Sequence, residues 1–284
     1  MLVRAFALSS IAAVAGLAMI GHAVAQNAAP SGPAVNLPGT DGGGPIEIIA
    51  DGALEWQRDA QAYVARGNAV AARGDLEVAA DILIAYYRPD DGGANQIYRL
   101  DARGNVRLTS ADAVVEGAEA AYDVAQEVAV ITGDTLVLRT ETDQITAEDS
   151  LEFWQARNLA VARGNAEATR AENVLRSDNL IARFVKDEGG ELAMRMVDAT
   201  GGVVIQTPTE LVRGSQGWFD VDSNIATLTG DVRLTRGTTQ LNGDRAEVDM
   251  ETGVSRLFTL PGPDGQRRVR GVLTPSELEQ DGGN

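Results

Sequence analysis

The chain has 284 residues, 44% of them hydrophobic but only 5% aromatic, so any buried core must be largely aliphatic. Its formal net charge of −17 would repel a phosphate backbone, and we therefore expect no nucleic-acid partner. The absence of cysteine excludes disulfides, thiolate metal sites and thiol nucleophiles.

The first 25 residues have the pattern of a secretory signal peptide. Arg4 precedes a long apolar run that ends in the small residues Ala23-Val24-Ala25. This pattern predicts cleavage between Ala25 and Gln26 and export to the periplasm, with an uncleaved membrane anchor as the alternative. Cleavage would remove His22, the only histidine, and with it every histidine-dependent catalytic arrangement.

Residues 26–45 are rich in Gly, Pro and Ala and predict a flexible linker. From residue 46 to about residue 270, short runs such as "NVRLTS" and "NIATLTGDVRLT" alternate apolar with polar side chains, which indicates β-strands. Glycines that are often followed by Asn or Asp recur between these runs, and we interpret them as the turns at which strands reverse: Gly67, Gly104, Gly133, Gly164, Gly201 and Gly230.

These glycines reveal an internal duplication. The last three lie 97 positions after the first three, and the sequences around them match without a gap. The predicted organisation is a signal peptide (1–25), the linker (26–45), two β modules (46–142 and 143–239), a partial third repeat that supplies C-terminal edge strands (240–270), and a polar tail (271–284).

The duplication also predicts which face of each strand is buried. Where the first copy has "DILIAYY" the second has "DNLIARF", so Asn179 and Arg183 mark the exposed face. Asp123 and Asp220 mark it on another pair of strands. The predicted apolar stripe comprises Leu83, Tyr87, Val106, Leu108, Tyr122, Val124 and Ile131 in the first copy, and Leu180, Phe184, Val203, Ile205, Phe219, Val221, Leu228 and Leu234 in the second. Leu234 is matched with Val137 of the first copy.

The sequence offers little for catalysis or metal binding. Acidic residues such as Asp81 and Asp134 fall where turns and outward faces require them, although a carboxylate-dependent enzyme acting on envelope sugars remains an alternative. The segment "DVDSN" resembles the start of a calcium-binding loop, but Ile225 occupies the position that needs glycine. We expect no enzymatic activity, no metal site and no cofactor.

The ordered series of motifs resembles the OstA/LptA family of lipopolysaccharide-transport proteins. A glycine turn is followed some 14 residues later by an acidic residue and then by a strand that ends in an aromatic residue, as in Gly67, Asp81 and Tyr87, and again in Gly164, Asp178 and Phe184. The resemblance implies an all-β fold, an open, twisted antiparallel β-jellyroll built from tandem OstA-like modules. It also implies that the apolar stripe binds the acyl chains of lipid A.

The resemblance further implies partners. Family members carry lipopolysaccharide from the inner to the outer membrane and join LptC-like inner-membrane and LptD-like outer-membrane proteins by β-strand addition. We expect the partner edges at Ile46 and Ile48 on one side and at Val248 and Met250 on the other, with head-to-tail self-association as a further possibility. A typical member has one module, so the duplication leaves two alternatives: an LptC-like relay component, or a closed structural β-solenoid that binds no lipid.

Overall fold

The computed structural model describes residues 47–89, 93, 95–187, 192–250, 252–259 and 270–272. The predictions for Ala25, Gln26, Ile46, the linker and most of the tail lie outside these residues. Within them the chain is all-β, with one short 3-10 helix at Gln155–Arg157 and no α-helix. The predicted fold class is therefore confirmed.

Within the described ranges, eighteen strands form one sheet. In chain order they are β1 (Glu47–Ile49), β2 (Ala53–Gln57), β3 (Ala62–Arg73), β4 (Leu76–Pro89), β5 (Asn95–Thr109), β6 (Val114–Asp123), β7 (Val128–Thr132), β8 (Leu136–Arg139), β9 (Asp143–Ala147), β10 (Ser150–Trp154), β11 (Leu159–Arg170), β12 (Asn173–Lys186), β13 (Leu192–Gln206), β14 (Leu211–Asp220), β15 (Ile225–Arg236), β16 (Thr239–Asp249), β17 (Ser255–Phe258) and β18 (Arg270–Val272).

Every pairing recorded among the described residues is antiparallel, and most pairings join strands that are consecutive along the chain. Some pairs of short strands act as one interrupted strand: β1 and β2 both pair with β3, and β7 and β8 both pair with β6. The strands β9 and β10 both pair with β11 in the same way. A solenoid of stacked parallel strands is therefore wrong for the part of the chain that the structure describes.

The repeated Gly-Asn pairs do not reverse the chain, so the prediction of turns there is wrong. Gly104 and Asn105 lie in the middle of β5, with φ angles of 76° and 49°. The pairing register shifts between Arg103 and Val106, as expected for a β-bulge with glycine in the left-handed region. The same arrangement recurs at Gly67 in β3, Gly164 in β11, Gly201 in β13 and Gly230 in β15. Each of these strands bends at its centre instead.

Acidic side chains from neighbouring segments of the sheet close these bends. Asn105 Nδ2 donates a hydrogen bond to Asp81 Oδ2 at 2.9 Å, and Asn165 Nδ2 donates one to Glu148 Oε2 at 2.7 Å. The spacing of glycine and acidic residues in the sequence thus reflects bends that lie side by side in adjacent strands. The chain reverses elsewhere, for instance at Gly74, where φ is 59° and the hairpin between β3 and β4 turns.

The bends fold the sheet over its own apolar face. Tyr63 and Ala65 precede the bend of β3 and Ala71 follows it, yet all three line the same cavity. One hydrophobic cluster extends from Leu76 in β4 to Ala246 in β16 and so runs through both copies. The boundary at residues 142 and 143 falls at the start of β9 within this continuous sheet, and the module limits stay a prediction.

Candidate ligand-binding groove

The structure places the predicted apolar stripe along the inside of the folded sheet, which we call the groove. Eleven of its members are buried: Tyr87, Val106, Leu108, Tyr122, Ile131, Leu180, Phe184, Val203, Val221, Leu228 and Leu234. Leu83, Val124 and Ile205 are partly buried against the same core. Phe219 is half-buried and faces Val197 in the register of β13 and β14. Their role in lipid binding stays a prediction.

One match between the copies is wrong by a single residue. Leu234 pairs with Val212, and the equivalent Val115 pairs with Leu138 rather than with Val137. The copies differ because the first is interrupted between β7 and β8 at Gly133, where φ is 144°. Leu138 therefore belongs to the inner face and Val137 to the opposite one.

A cavity of about 510 Å³ lies inside the groove at its N-terminal end. Its lining comes from β1 to β7 and is mostly apolar; representative residues are Ile48, Leu54, Leu83, Leu100, Leu108 and Ile131. Burial raises the pKa of the Tyr122 hydroxyl, so this lining residue stays neutral. The volume is within the usual range for a pocket that encloses a small molecule or part of a larger one.

Aromatic side chains surround one side of this cavity. The rings of Trp56 and Tyr63 are stacked at 6.0 Å between centroids, and those of Tyr63 and Tyr87 are 4.9 Å apart. Trp56 Nε1 donates a 2.7 Å hydrogen bond to the Tyr87 hydroxyl. The guanidinium carbon of Arg58 lies 4.8 Å from the centre of the Trp56 ring. The cluster combines a large apolar contact area with polar groups at its edge.

The inner face is exposed at the first edge of the sheet, which we call the mouth. Leu54 is 65% exposed and Trp56 is 54% exposed, although both point to the same side as the buried groove residues. Their counterparts in the second copy, Leu151 and Phe153, are only 5% and 6% exposed. Equivalent residues thus occur in two environments within one molecule.

The second copy is covered because the first copy packs on its edge, at a junction that we call the seam. β10 pairs with β7, so that Leu151 faces Ile131, and β9 pairs with β8, so that Ala147 faces Leu136.

Outside the groove, Glu152 accepts a 2.6 Å hydrogen bond from Arg163 Nε. Burial alone would raise the pKa of Glu152, but hydrogen bonds from Arg163, Trp154 and Ser150 hold that pKa below its ordinary value.

The two edges of the sheet correspond only partly to those expected. Ile48 lies in β1, which pairs with β3 alone among the described residues and so lies at an edge; its use by a partner stays a prediction. Val248 is not, because β16 pairs with β15 on one side and with β17 on the other. Met250 lies in the turn after β16. The C-terminal edge of the described sheet is formed by β17 and β18, because the chain turns back once more after β16.

The outer face carries charged side chains that are paired across strands. Examples are Arg176 with Glu167 and Arg183 with Asp198, both at 2.6 Å. Among the residues that the structure describes, no group of three or more His, Cys, Asp or Glu side chains is placed to hold a metal ion. No described helix is long and apolar enough to cross a membrane.

Comparison with known proteins decides the family. The model of the LptA/(LptD N-terminal domain) LPS transport protein family matches this chain twice, at residues 47–149 and at residues 144–254. The chain belongs to this family. It is an LPS-transport-related β-jellyroll protein, and this family and fold are those of transport proteins rather than enzymes.

The chain is similar to the solved structure of LptH from Pseudomonas aeruginosa, which is the LptA-homologous periplasmic component of the lipopolysaccharide transport device. The two sequences are 17% identical, and the alignment covers 47% of this chain and 95% of LptH with a TM-score of 0.40. No curated protein matches the sequence.

The sequence interpretation missed several residues of the cavity and its mouth, namely Leu54, Trp56, Tyr63 and Arg73. A signal for two of them was present, because Leu54 and Trp56 align with Leu151 and Phe153 of the second copy. The aligned positions of Tyr63 and Arg73 are Ala160 and Arg170, which do not by themselves indicate a cavity.

Proposed function

We propose that this protein is a periplasmic carrier that shields the acyl chains of lipid A in the groove while lipopolysaccharide passes from the inner to the outer membrane. The observation that carries the proposal is the cavity of about 510 Å³, which is largely apolar and opens at a sheet edge that exposes Leu54 and Trp56. An apolar surface of this kind is costly in water and becomes favourable when an alkyl chain covers it.

The energetics favour acyl chains over head groups as the source of affinity. Each methylene moved from water into the groove contributes about 0.8 kcal/mol. The net charge of −17 opposes binding of an anionic glycolipid, but repulsion between exposed charges is screened over about 8 Å at physiological ionic strength. Burial of a few methylenes along Leu83 and Leu108 would therefore outweigh the repulsion.

The seam supports β-strand addition as the way in which this protein joins its partners. At the seam, β7 and β8 cover an edge that is equivalent to the edge of β1 and β2, which no other described strand covers. We propose that an LptC-like or LptD-like jellyroll, or a second copy of this chain, covers each free edge in the same antiparallel manner. The donor at the C-terminal side would be β17 with β18 rather than Val248 and Met250.

Photo-crosslinking tests the carrier role. A crosslinker at Leu83 or Tyr122 in the first copy, or at Leu180 or Phe219 in the second, should trap lipopolysaccharide in cells. Matched positions on the opposite face, Asp123 and Asp220, should not, because their side chains alternate with the groove residues. Equal labelling of both faces would refute a lipid-binding groove and leave a structural role in the envelope.

Depletion distinguishes the position in the relay. If the protein carries lipopolysaccharide across the periplasm, its loss should leave newly made lipopolysaccharide at the inner membrane. An LptC-like role would instead require the N-terminal segment to remain as a membrane anchor, and the mass of the mature protein would then include residues 1–25. Normal delivery after depletion would contradict both roles.

A further inference from the structure

Three charged residues border the groove cavity, and two of them, Glu55 and Asp101, alternate with inward-facing residues such as Leu54 and Leu100, so their side chains point to the outer face. Glu55 pairs with Arg66 at 2.9 Å, and Asp101 accepts hydrogen bonds from Arg99 and Arg103. The third is Arg73, at the end of β3. Arg73 has no ion pair within the part of the chain that the structure describes, whereas each salt bridge recorded there is formed by an arginine.

The second copy shows what the corresponding arginine does when an acid is available. Arg170, the counterpart of Arg73, pairs through two hydrogen bonds with Asp143, from Nε at 2.5 Å and from Nη2 at 2.7 Å. Asp143 corresponds to position 46 in the first copy, and the residue there is Ile. The duplication has therefore kept the arginine in both copies, while only the second copy has the carboxylate that neutralises it.

We propose that Arg73 binds the anionic group of an amphiphile whose hydrocarbon chains occupy the groove cavity. This inference rests on the proposed carrier function and specifies its ligand: an apolar tail joined to a phosphate or a carboxylate. Arginine presents a planar fork of donors that matches both groups, and its interaction with them is strengthened in apolar surroundings. Arg73 lies beside Leu76 and Ala71, so such a group would be bound where the apolar lining meets the end of the strand.

Two sources could supply the anion: a phosphate on the lipid A disaccharide, or the carboxylate of a fatty acid. The test measures the affinity of the purified protein for four probes with matched chain lengths: bisphosphorylated lipid A, its monophosphorylated form, a fatty acid and a neutral alkyl glycoside. We expect wild-type protein to bind the preferred anionic probe about tenfold more tightly than the neutral one, as one charge-assisted hydrogen-bonding contact provides. Preference for a phosphorylated probe would identify lipid A, and preference for the fatty acid would identify the carboxylate.

Two variants assign that preference to Arg73. Arg73→Gln should reduce the anionic preference to less than twofold and leave the affinity for the neutral glycoside unchanged. The matched Arg170→Gln should keep the tenfold preference, because its guanidinium is already occupied by Asp143. A third variant, Ile46→Asp, introduces the acid that the second copy has at the equivalent position and should weaken the preference as Arg73→Gln does.

The outcomes separate this inference from the function on which it rests. A preference that survives in Arg73→Gln would overturn the anion site but leave the carrier intact, provided that the neutral probe still binds. Failure of wild-type protein to bind any of the four probes would contradict the carrier and the anion site together. Melting temperatures of the three variants, compared with wild type, show whether a loss of binding reflects loss of the fold.

Discussion

Replacing Gly104 by alanine tests whether the Gly-Asn pairs bend strands rather than connect them. Gly104 has a φ of 76°, and an added Cβ would meet Asp81 Oδ2 at 2.2 Å and Asp81 Cγ at 2.9 Å. The left-handed conformation costs alanine about 1–2 kcal/mol, and displacing the carboxylate that accepts the Asn105 hydrogen bond costs about 1 kcal/mol more. We expect Gly104→Ala to lower the free energy of unfolding by about 2–3 kcal/mol.

Gly74 is the matched control because it has a comparable φ of 59° but lies in a hairpin, where an added Cβ meets nothing within 4 Å. Gly74→Ala should therefore cost only the conformational term, about 1–2 kcal/mol. For a protein of this size the two substitutions should lower the melting temperature by about 4–12 °C and about 2–8 °C respectively, with Gly104→Ala the larger. Urea unfolding followed by circular dichroism at the β-sheet signal measures both.

A double substitution isolates the contact with Asp81. In an Asp81→Gly background, Gly104→Ala should cost about as much as Gly74→Ala, because the side chain that the new Cβ would meet is gone. If Gly104→Ala and Gly74→Ala cost the same in the wild-type background, Gly104 does not lie against β4. The bent strand, and the groove that depends on it, would then be refuted.

Three further outcomes follow from the groove and the seam. Leu136→Ala truncates a side chain that is 1% exposed and should lower the free energy of unfolding by about 2–5 kcal/mol, measured by urea unfolding. Leu54→Ala, at a position that is 65% exposed, should lower it by less than about 1 kcal/mol, and equal losses would mean that Leu54 is covered in the free protein. Glu152 has a lowered pKa, so its contribution to stability is present above its unfolded-state pKa of about 4.3 and is lost as the pH falls through the folded-state value. Glu152→Gln should flatten this acid limb of the plot of unfolding free energy against pH, and an unchanged limb would show that the pair of Glu152 with Arg163 contributes nothing. Leu54→Asp places a charge at the mouth and should abolish capture of an LptC-like or LptD-like jellyroll in pull-down experiments. The melting temperature should stay within about 2 °C of wild type, and undiminished capture would exclude the β1–β2 edge as the interface.

The inner face of the sheet could be predicted because the two copies have different residues at equivalent positions. In "DILIAYY" the apolar residues occupy both faces and give no orientation, whereas Asn179 and Arg183 in the second copy are tolerated only on the exposed side. The buried state of Leu180 and Phe184 follows from that comparison, and Tyr87 follows by equivalence. The two copies within one chain thus served as two aligned sequences from which the buried face of each strand could be assigned.

The bends could not be predicted in the same way, because glycine followed by asparagine favours positive φ at both residues in a hairpin and in a bulge alike. What separates the two structures is the partner strand: Asp81 lies 23 residues before Gly104 and closes the bend from β4. The shifted match of Val137 has a related cause, since the break at Gly133 changes the side-chain parity without changing the sequence spacing. Both errors depend on contacts between strands, which local patterns do not contain.

The duplication favours the proposal that the mouth is a functional opening rather than a defect of the fold. Leu151 and Phe153 show that this inner face can be buried completely when β7 and β8 pack on it. The equivalent Leu54 and Trp56 have no such cover within the described residues, and no substitution at these two positions has made them polar. A soluble protein that merely ended its sheet here would be expected to blunt the edge with charge or proline. Retention of leucine and tryptophan at the edge instead favours an opening that is covered by another molecule, either a partner jellyroll or the hydrocarbon chains that enter the cavity behind it.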